Sequence, residues 1–155
     1  MKGRLKVVAF DCDGVMFDSR EANRIYYNHV LDHFHLPAMT PQQLAYVHMH
    51  TVDEALIHLI GHDATRKAAQ AYRKQLGYLP FLKYMQMEPG LVPLLEKLRP
   101  GFKTAVATNR TDTMVRVLAD NHIEHLFDLV VCALDVQFPK PHPEALLKVV
   151  NHFSV

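Results

Sequence analysis

The sequence has few cysteines, little excess charge of either sign and no long hydrophobic run. Its 155 residues include two cysteines, Cys12 and Cys132, which show neither a disulfide framework nor metal-ligand spacing, so we expect a reducing cytoplasm. Lys and Arg number 17 against 16 Asp and Glu, which argues against a strongly basic nucleic-acid-binding protein and against a disordered acidic chain. The composition predicts one ordinary domain with room for a small insertion.

Signals for membranes and secretion are equally scarce. The longest uninterrupted apolar run is Leu129 to Leu134, far short of the roughly 20 residues that a membrane helix needs. Residues 1–4 lead directly into a strand-like segment, without a signal-peptide core or cleavage site. We therefore expect neither a membrane nor a nucleic acid as a partner.

Strand-like and helical segments alternate along most of the chain. Short apolar or β-branched runs over residues 5–10, 103–108 and 128–133 predict three strands, and residues with helical spacing lie between them. This alternation predicts an α/β fold with a Rossmann-like parallel sheet. A sheet of about three strands is incomplete, and it leaves the third strand as an apolar edge.

Residues 18–88 interrupt the alternation with helical patterns and no convincing strand. One helix start is clear, because Thr40-Pro41-Gln42-Gln43 places Thr at the N-cap, Pro at the first helical position and Gln at the third. We predict a helical insertion over residues 18–88. The core then consists of residues 1–17 and 89–155.

The insertion also holds several of the chain's eleven histidines. Some could suggest a metal site: His29, His33, His35, His48 and His50. No cysteine or acidic residue stands at ligand spacing from them, so the sequence favours surface or packing roles.

Polar and charged residues follow each of the three predicted strands. In open α/β sheets, ligands bind outside the carboxyl ends of the strands, so these segments are expected to meet. Together they offer acceptors for a cation and donors for a phosphate. The segments are Asp11-Cys12-Asp13-Gly14, Thr108-Asn109-Arg110 and Pro139-Lys140-Pro141.

Asp11 and Asp13 pose an electrostatic problem. Residues two apart in an extended chain point to the same side, so the carboxylates converge past the strand end. At about 5 Å and an effective dielectric of about 20 they repel by roughly 3 kcal/mol. A shared proton, a basic side chain or a hard cation such as magnesium could offset this repulsion. In the plainer alternative, one Asp caps the turn and the other is solvated.

The three segments resemble the motifs of a known family. "DCDGV" is similar to the first motif of the haloacid dehalogenase (HAD) superfamily, "VATNR" to its second, and "KPHPEALL" to its third in phosphoglycolate phosphatase-like members. The insertion over 18–88 corresponds to the family's α-helical cap. The dehalogenase branch lacks the second aspartate of the first motif, so Asp13 favours phosphate chemistry.

The resemblance implies roles for the motif residues. Asp11 would be the nucleophile that forms an aspartyl-phosphate, and Asp13 would protonate the leaving group and then activate water. Magnesium would bind the Asp11 carboxylate and the backbone carbonyl of Asp13. Thr108 and Lys140 would hold phosphate oxygens, and Lys140 would also stabilise the charge on Asp11.

Two further residues complete the expected site for a small phosphorylated metabolite. Asn109 would help to frame the phosphate or the substrate. Gly14 permits a tight turn or a close approach of the backbone to the ligand.

The chain departs from the family pattern in one respect. The fourth motif, an acidic GDxxxD-like stretch that normally completes the magnesium site, does not follow residues 143–153. The resemblance therefore implies a chain truncated before that motif, with little activity alone and an edge, residues 128–133, open to pairing with a second copy. The alternatives are a phosphomutase of the same family and an incompetent truncated domain with a binding or assembly role.

Overall fold

The computed structural model describes residues 5–155, which form two compact units. The sheet unit consists of residues 5–18 and 86–155, and the helical unit is Ser19–Met85. The sequence placed the boundaries at residues 17/18 and 88/89, and that domain division stays a prediction. Within residues 5–155, no helix combines the length and the apolar character that a bilayer span requires.

The sheet unit confirms the predicted α/β fold with its parallel sheet. Three strands pair in parallel in the order β1 (Val7–Phe10), β4 (Lys103–Ala107) and β5 (Leu129–Val131), with Val7 opposite Lys103 and Ala105 opposite Leu129. The central strand is the most buried, since Thr104 to Ala107 are all shielded from solvent. The strands of the described chain are β1 (Val7–Phe10), β2 (Phe17–Asp18), β3 (Gln86–Met87), β4 (Lys103–Ala107) and β5 (Leu129–Val131).

Both outer strands of this sheet pair on one side only within residues 5–155. The sequence predicted such an edge at the third strand, and β5 does lie at an edge. The opposite edge is β1, the strand that leads into Asp11. Pairing of either edge with a second copy stays a prediction.

The prediction that residues 18–88 contain no strand is wrong at both ends of that range. Phe17 pairs with Met87 and Asp18 pairs with Gln86 in a two-stranded antiparallel ribbon. Each strand of the ribbon has two residues, which is too short for an alternating pattern to show in the sequence.

Helices flank the sheet and build the helical unit. In the sheet unit, α7 packs against all three strands through Ala145 and Val149, which lie in one apolar cluster with Ala105, Ala107 and Val131. The α-helices of the described residues are α1 (Arg20–His33), α2 (Pro41–Met49), α3 (Val52–Leu59), α4 (Asp63–Leu76), α5 (Leu91–Leu98), α6 (Thr113–Asp120) and α7 (Glu144–Phe153).

The helical unit begins its second helix as the sequence predicted. The Thr40 hydroxyl accepts a hydrogen bond from the Gln43 N–H at 3.2 Å, and the Gln43 side chain accepts one from the Thr40 N–H at 2.9 Å. This reciprocal cap satisfies two N–H groups that the first helical turn leaves unpaired.

Several histidines of the helical unit pack against aromatic rings. The His33 ring stacks on Tyr72 at 3.7 Å, and Tyr46 stacks with His50 at 3.8 Å and with His58 at 3.9 Å. These are packing contacts of the kind that the sequence favoured. Within residues 5–155, no group of three or more His, Cys, Asp and Glu residues is arranged to hold a metal ion.

Candidate active site

The structure brings the first and third predicted segments into direct contact at the carboxyl end of the sheet. The Lys140 ammonium lies 2.8 Å from Oδ1 of Asp11 and also donates to the backbone carbonyl of Ala107, the last residue of β4, at 2.9 Å. The Lys140 side chain is 24% exposed and that of Asp11 is 41% exposed. Lys140 therefore joins two neighbouring strand ends and leaves part of the Asp11 carboxylate open to solvent.

Asn109 holds the segment that carries Lys140. Its side-chain amide donates to the Lys140 carbonyl at 2.8 Å, and its side-chain oxygen accepts from the Lys140 N–H at 2.8 Å. Both ends of the amide are thus bonded to the main chain of one residue. Asn109 fixes the backbone from which the ammonium extends, while a contact with phosphate stays a prediction.

Thr108 lies at the same strand end and is almost fully buried. Its hydroxyl oxygen accepts a hydrogen bond from the Arg110 N–H at 3.2 Å, and its own N–H donates to the Val131 carbonyl at 3.0 Å. The bond to Val131 ties the end of β4 to β5, and the bond from Arg110 stays within the turn after β4. The proposed contact of Thr108 with phosphate is a separate prediction.

The turn after β1 explains the glycine of the first motif. The Cys12 carbonyl accepts hydrogen bonds from the N–H groups of Val15, Met16 and Phe17, at 3.3, 2.9 and 3.0 Å. Gly14 lies inside this turn with φ of +74°, a conformation that costs a residue with a side chain about 1 kcal/mol or more. The predicted tight turn is therefore present at Gly14.

Cys12 lies between the two aspartates but is fully buried. Burial, followed by the negative charge of Asp13, raises the pKa of the Cys12 thiol to about 12. The thiol is therefore protonated at neutral pH, which excludes it as a nucleophile.

Asp13 is held by Arg110, a residue for which the sequence pattern predicted no role. The Arg110 Nε donates to Oδ2 of Asp13 at 2.9 Å, and Nη2 donates to Oδ1 at 2.8 Å. The third guanidinium nitrogen, Nη1, donates to the Thr113 hydroxyl at 3.2 Å. The sequence signal was the position of Arg110, directly after Thr108-Asn109 at a strand end.

These contacts answer the question of repulsion between the two acids. Asp11 pairs with Lys140, and Asp13 pairs with Arg110. Of the three ways to offset the repulsion, the structure shows basic side chains, one for each carboxylate.

Oxygen atoms that fit magnesium remain at the same turn. Oδ1 of Asp11 is bonded to the Cys12 N–H at 2.7 Å and to Lys140, whereas neither Oδ2 of Asp11 nor the backbone carbonyl of Asp13 accepts a hydrogen bond within residues 5–155. Carboxylate and carbonyl oxygens are the hard donors that magnesium prefers. The donor set therefore fits the ion, although it supplies only part of a full coordination shell.

Comparison with known proteins agrees with the motifs and the fold. The family model described as haloacid dehalogenase-like hydrolase matches residues 8–155. A HAD-superfamily hydrolase of subfamily IA, variant 1, from Geobacter sulfurreducens is 34% identical, with a TM-score of 0.83 over 97% of this chain and 73% of that one. A predicted phosphoglycolate phosphatase from Haemophilus somnus shares the fold, with 19% identity and a TM-score of 0.81 over 100% of this chain and 74% of that one.

A curated relative is more distant. Pyrophosphatase PpaX of Bacillus pumilus is 27% identical over 144 residues, which cover 90% of this chain and 65% of the relative. The chain thus spans a little less than two thirds of the length of that protein. Because the family model covers nearly all of the sequence and a solved relative is 34% identical, the chain belongs to the haloacid dehalogenase-like hydrolase family.

Proposed function

We propose that this protein is a magnesium-dependent phosphatase that acts on a small phosphomonoester through an aspartyl-phosphate intermediate. The observation that carries the proposal is the Asp11 carboxylate at the end of β1, half exposed and 2.8 Å from the Lys140 ammonium. A carboxylate in this setting can approach an anionic phosphate because the ammonium compensates negative charge on both groups.

In the first step, a carboxylate oxygen of Asp11 attacks phosphorus. The bond from phosphorus to the leaving-group oxygen breaks, and that oxygen keeps the electron pair and takes a proton from Asp13. Lys140 and Thr108 hold phosphate oxygens while negative charge builds on them. In the second step, water attacks the phosphorus of the acyl phosphate and Asp13 takes a proton from the water. The bond from phosphorus to the Asp11 oxygen breaks, so Asp11 returns to a carboxylate and inorganic phosphate leaves.

Asp13 must exchange partners during this sequence. In the structure, both of its oxygens accept hydrogen bonds from Arg110, so one oxygen gives up its bond to carry a proton to the leaving group while the other stays bonded to the guanidinium. The Asp13 side chain is 37% exposed, which leaves it accessible from the solvent side.

The magnesium site follows from the donor atoms at the turn. The Asp11 carboxylate and the Asp13 backbone carbonyl would hold the ion, and the ion would supply a Lewis acid that polarises a phosphoryl oxygen. Since these two groups provide few ligands, we expect weak magnesium binding and slow turnover that rises over a wide range of magnesium concentration.

The related proteins support phosphate chemistry and suggest substrates for assay. One relative bears the name pyrophosphatase, and a protein of the same fold is described as a predicted phosphoglycolate phosphatase. Pyrophosphate and phosphoglycolate are therefore suitable first substrates, next to p-nitrophenyl phosphate. A reducing cytoplasm as the location is part of the proposal, since Cys12 and Cys132 are both free thiols.

The decisive experiment replaces the nucleophile. Phosphate release should be measured for the wild type and for Asp11→Asn during a magnesium titration, with Asp120→Asn as the matched control because Asp120 lies in an exposed ion pair with Arg116. We expect Asp11→Asn to show no release and Asp120→Asn to match the wild type. A wild-type chain that releases no more phosphate than Asp11→Asn would contradict the proposal.

A further inference from the structure

Arg110 differs from an ordinary surface arginine in its burial and in its contacts. Its side chain is 8% exposed, against 65% for Arg116, which pairs with Asp120 on α6. Two nitrogens of the guanidinium meet the two oxygens of Asp13 at 2.9 and 2.8 Å, so the pair is bidentate. Such a fork fixes the plane of a carboxylate, whereas a single ammonium contact leaves it free to rotate.

The main chain of Arg110 is anchored on both sides. Its N–H donates to the Thr108 hydroxyl at 3.2 Å, and its carbonyl accepts from the Ala133 N–H at 2.8 Å, which links the residue to the segment after β5. This backbone therefore belongs to the same framework as the strand ends that carry the site.

The guanidinium is anchored as well. Nη1 donates to the hydroxyl of Thr113, a buried residue at the start of α6, at 3.2 Å. The guanidinium therefore has bonds to two separate segments, Asp13 after β1 and Thr113 on α6. The Arg110 side chain is buried and bonded to Thr113, whereas the Asp13 side chain is more exposed. Arg110 is therefore the more constrained partner, and it sets the position of Asp13.

We propose that Arg110 is a positioning residue that fixes the side-chain rotamer of Asp13 next to the reacting groups. The kinetic consequence rests on the proposed phosphatase function, whereas the structural consequence does not. The bidentate bonds of its guanidinium to Asp13 are the route by which Arg110 acts on the reaction.

The first test separates positioning from substrate binding. We expect Arg110→Met to lower kcat on the order of 10²-fold, since a misplacement of about 1 Å costs that much, and to leave KM within about twofold. Arg110→Lys keeps the charge and loses the fork, so it should recover only a small part of kcat. Arg116→Met is the matched control and should retain wild-type kcat. A full recovery by Arg110→Lys, or a change confined to KM, would overturn the proposal.

The second test needs no turnover. The two Hα–Hβ scalar couplings of Asp13, measured by NMR in the protein without magnesium, report whether its side chain occupies one rotamer. We expect couplings of a single rotamer in the wild type and averaged couplings in Arg110→Met and Arg110→Lys, with the couplings of Asp11 unchanged. Unaltered Asp13 couplings in both variants would show that another group positions the carboxylate.

The outcomes of the two tests distinguish an error in the proposed function from an error in the proposed role of Arg110. If the wild type releases no phosphate, the proposed function is wrong, and the NMR couplings still decide the role of Arg110. If turnover is present and Arg110→Met keeps wild-type kcat and wild-type couplings, the phosphatase function stands and the positioning role is wrong.

Discussion

The two ends of the parallel sheet both carry acids paired with cations, but the pairs are built differently. At the amino end, Asp128 accepts hydrogen bonds from the Thr104 N–H at 2.9 Å and from the Lys103 ammonium at 3.1 Å, and Arg99 lies 3.9 Å away. At the carboxyl end, Asp11 and Asp13 each pair with one cation. The Asp128 side chain is 20% exposed, about half the exposure of the two acids at the other end.

Under the proposed function, this difference separates an acid that stabilises the fold from the acids that take part in the reaction. Partial burial alone would raise the pKa of Asp128, but the Thr104 N–H and the Lys103 and Arg99 charges outweigh it and hold the pKa below its usual range. Asp128 thus has three protein partners around one carboxylate, whereas Asp11 and Asp13 pair with one cation each. The acids at the carboxyl end keep solvent-facing surface, which a phosphate can approach.

Between the lysines at the two ends of the sheet, replacing Lys140 should have much the larger effect on the rate of phosphate release. We expect Lys140→Met to slow phosphate release on the order of 10²- to 10³-fold, the usual loss when one preorganised electrostatic contact is removed from a site. The same substitution at the amino end, Lys103→Met, should leave the rate unchanged. Steady-state kinetics on the two variants measures both rates. Equal losses of rate in the two variants would contradict the functional distinction between the two ends of the sheet.

Removing Asp128 at the amino end of the sheet should lower the stability of the protein and leave the rate of phosphate release unchanged. Asp128→Ala leaves the Thr104 N–H without its acceptor, so we expect the free energy of unfolding to fall by about 1–3 kcal/mol. Turnover at a temperature where the variant is folded should match the wild type. Urea unfolding and a phosphate-release assay check both statements, and a slow but fully stable variant would contradict them.

The sheet and the placement of the main site residues were predictable, because both depend on local patterns. Runs of β-branched and apolar residues predicted β1, β4 and β5, and polar residues at parallel strand ends must lie at one edge. The salt bridge between Asp11 and Lys140 follows from that placement and from the charges of the two residues.

The contacts of Arg110 and the short ribbon were not predictable in the same way. The Asp13–Arg110 pair joins residues 97 apart in the sequence, and the position of Arg110 after a strand end indicates its place but not its partner or its burial. In the ribbon, Phe17 pairs with Met87, and two-residue strands are too short to show a periodic side-chain pattern. Both features depend on how distant segments meet, which propensity and spacing do not encode.

The smallest expected effect is a change in stability at acidic pH. It tests whether Asp128 stabilises the fold through its charge. The folded protein holds the pKa of Asp128 below the unfolded value of about 4, so its contribution is fully present above that value and disappears as the pH falls through the lower folded pKa. Asp128→Asn cannot ionise, so its stability deficit relative to the wild type should be constant from pH 7 to about pH 5 and should shrink below about pH 4. Urea unfolding over this pH range measures the deficit. Asp120→Asn, in an exposed pair with Arg116, should stay close to the wild type throughout. A deficit for Asp128→Asn that does not change with pH would show that the hydrogen-bond geometry at Thr104, and not the charge, is what Asp128 supplies to the amino end of the sheet.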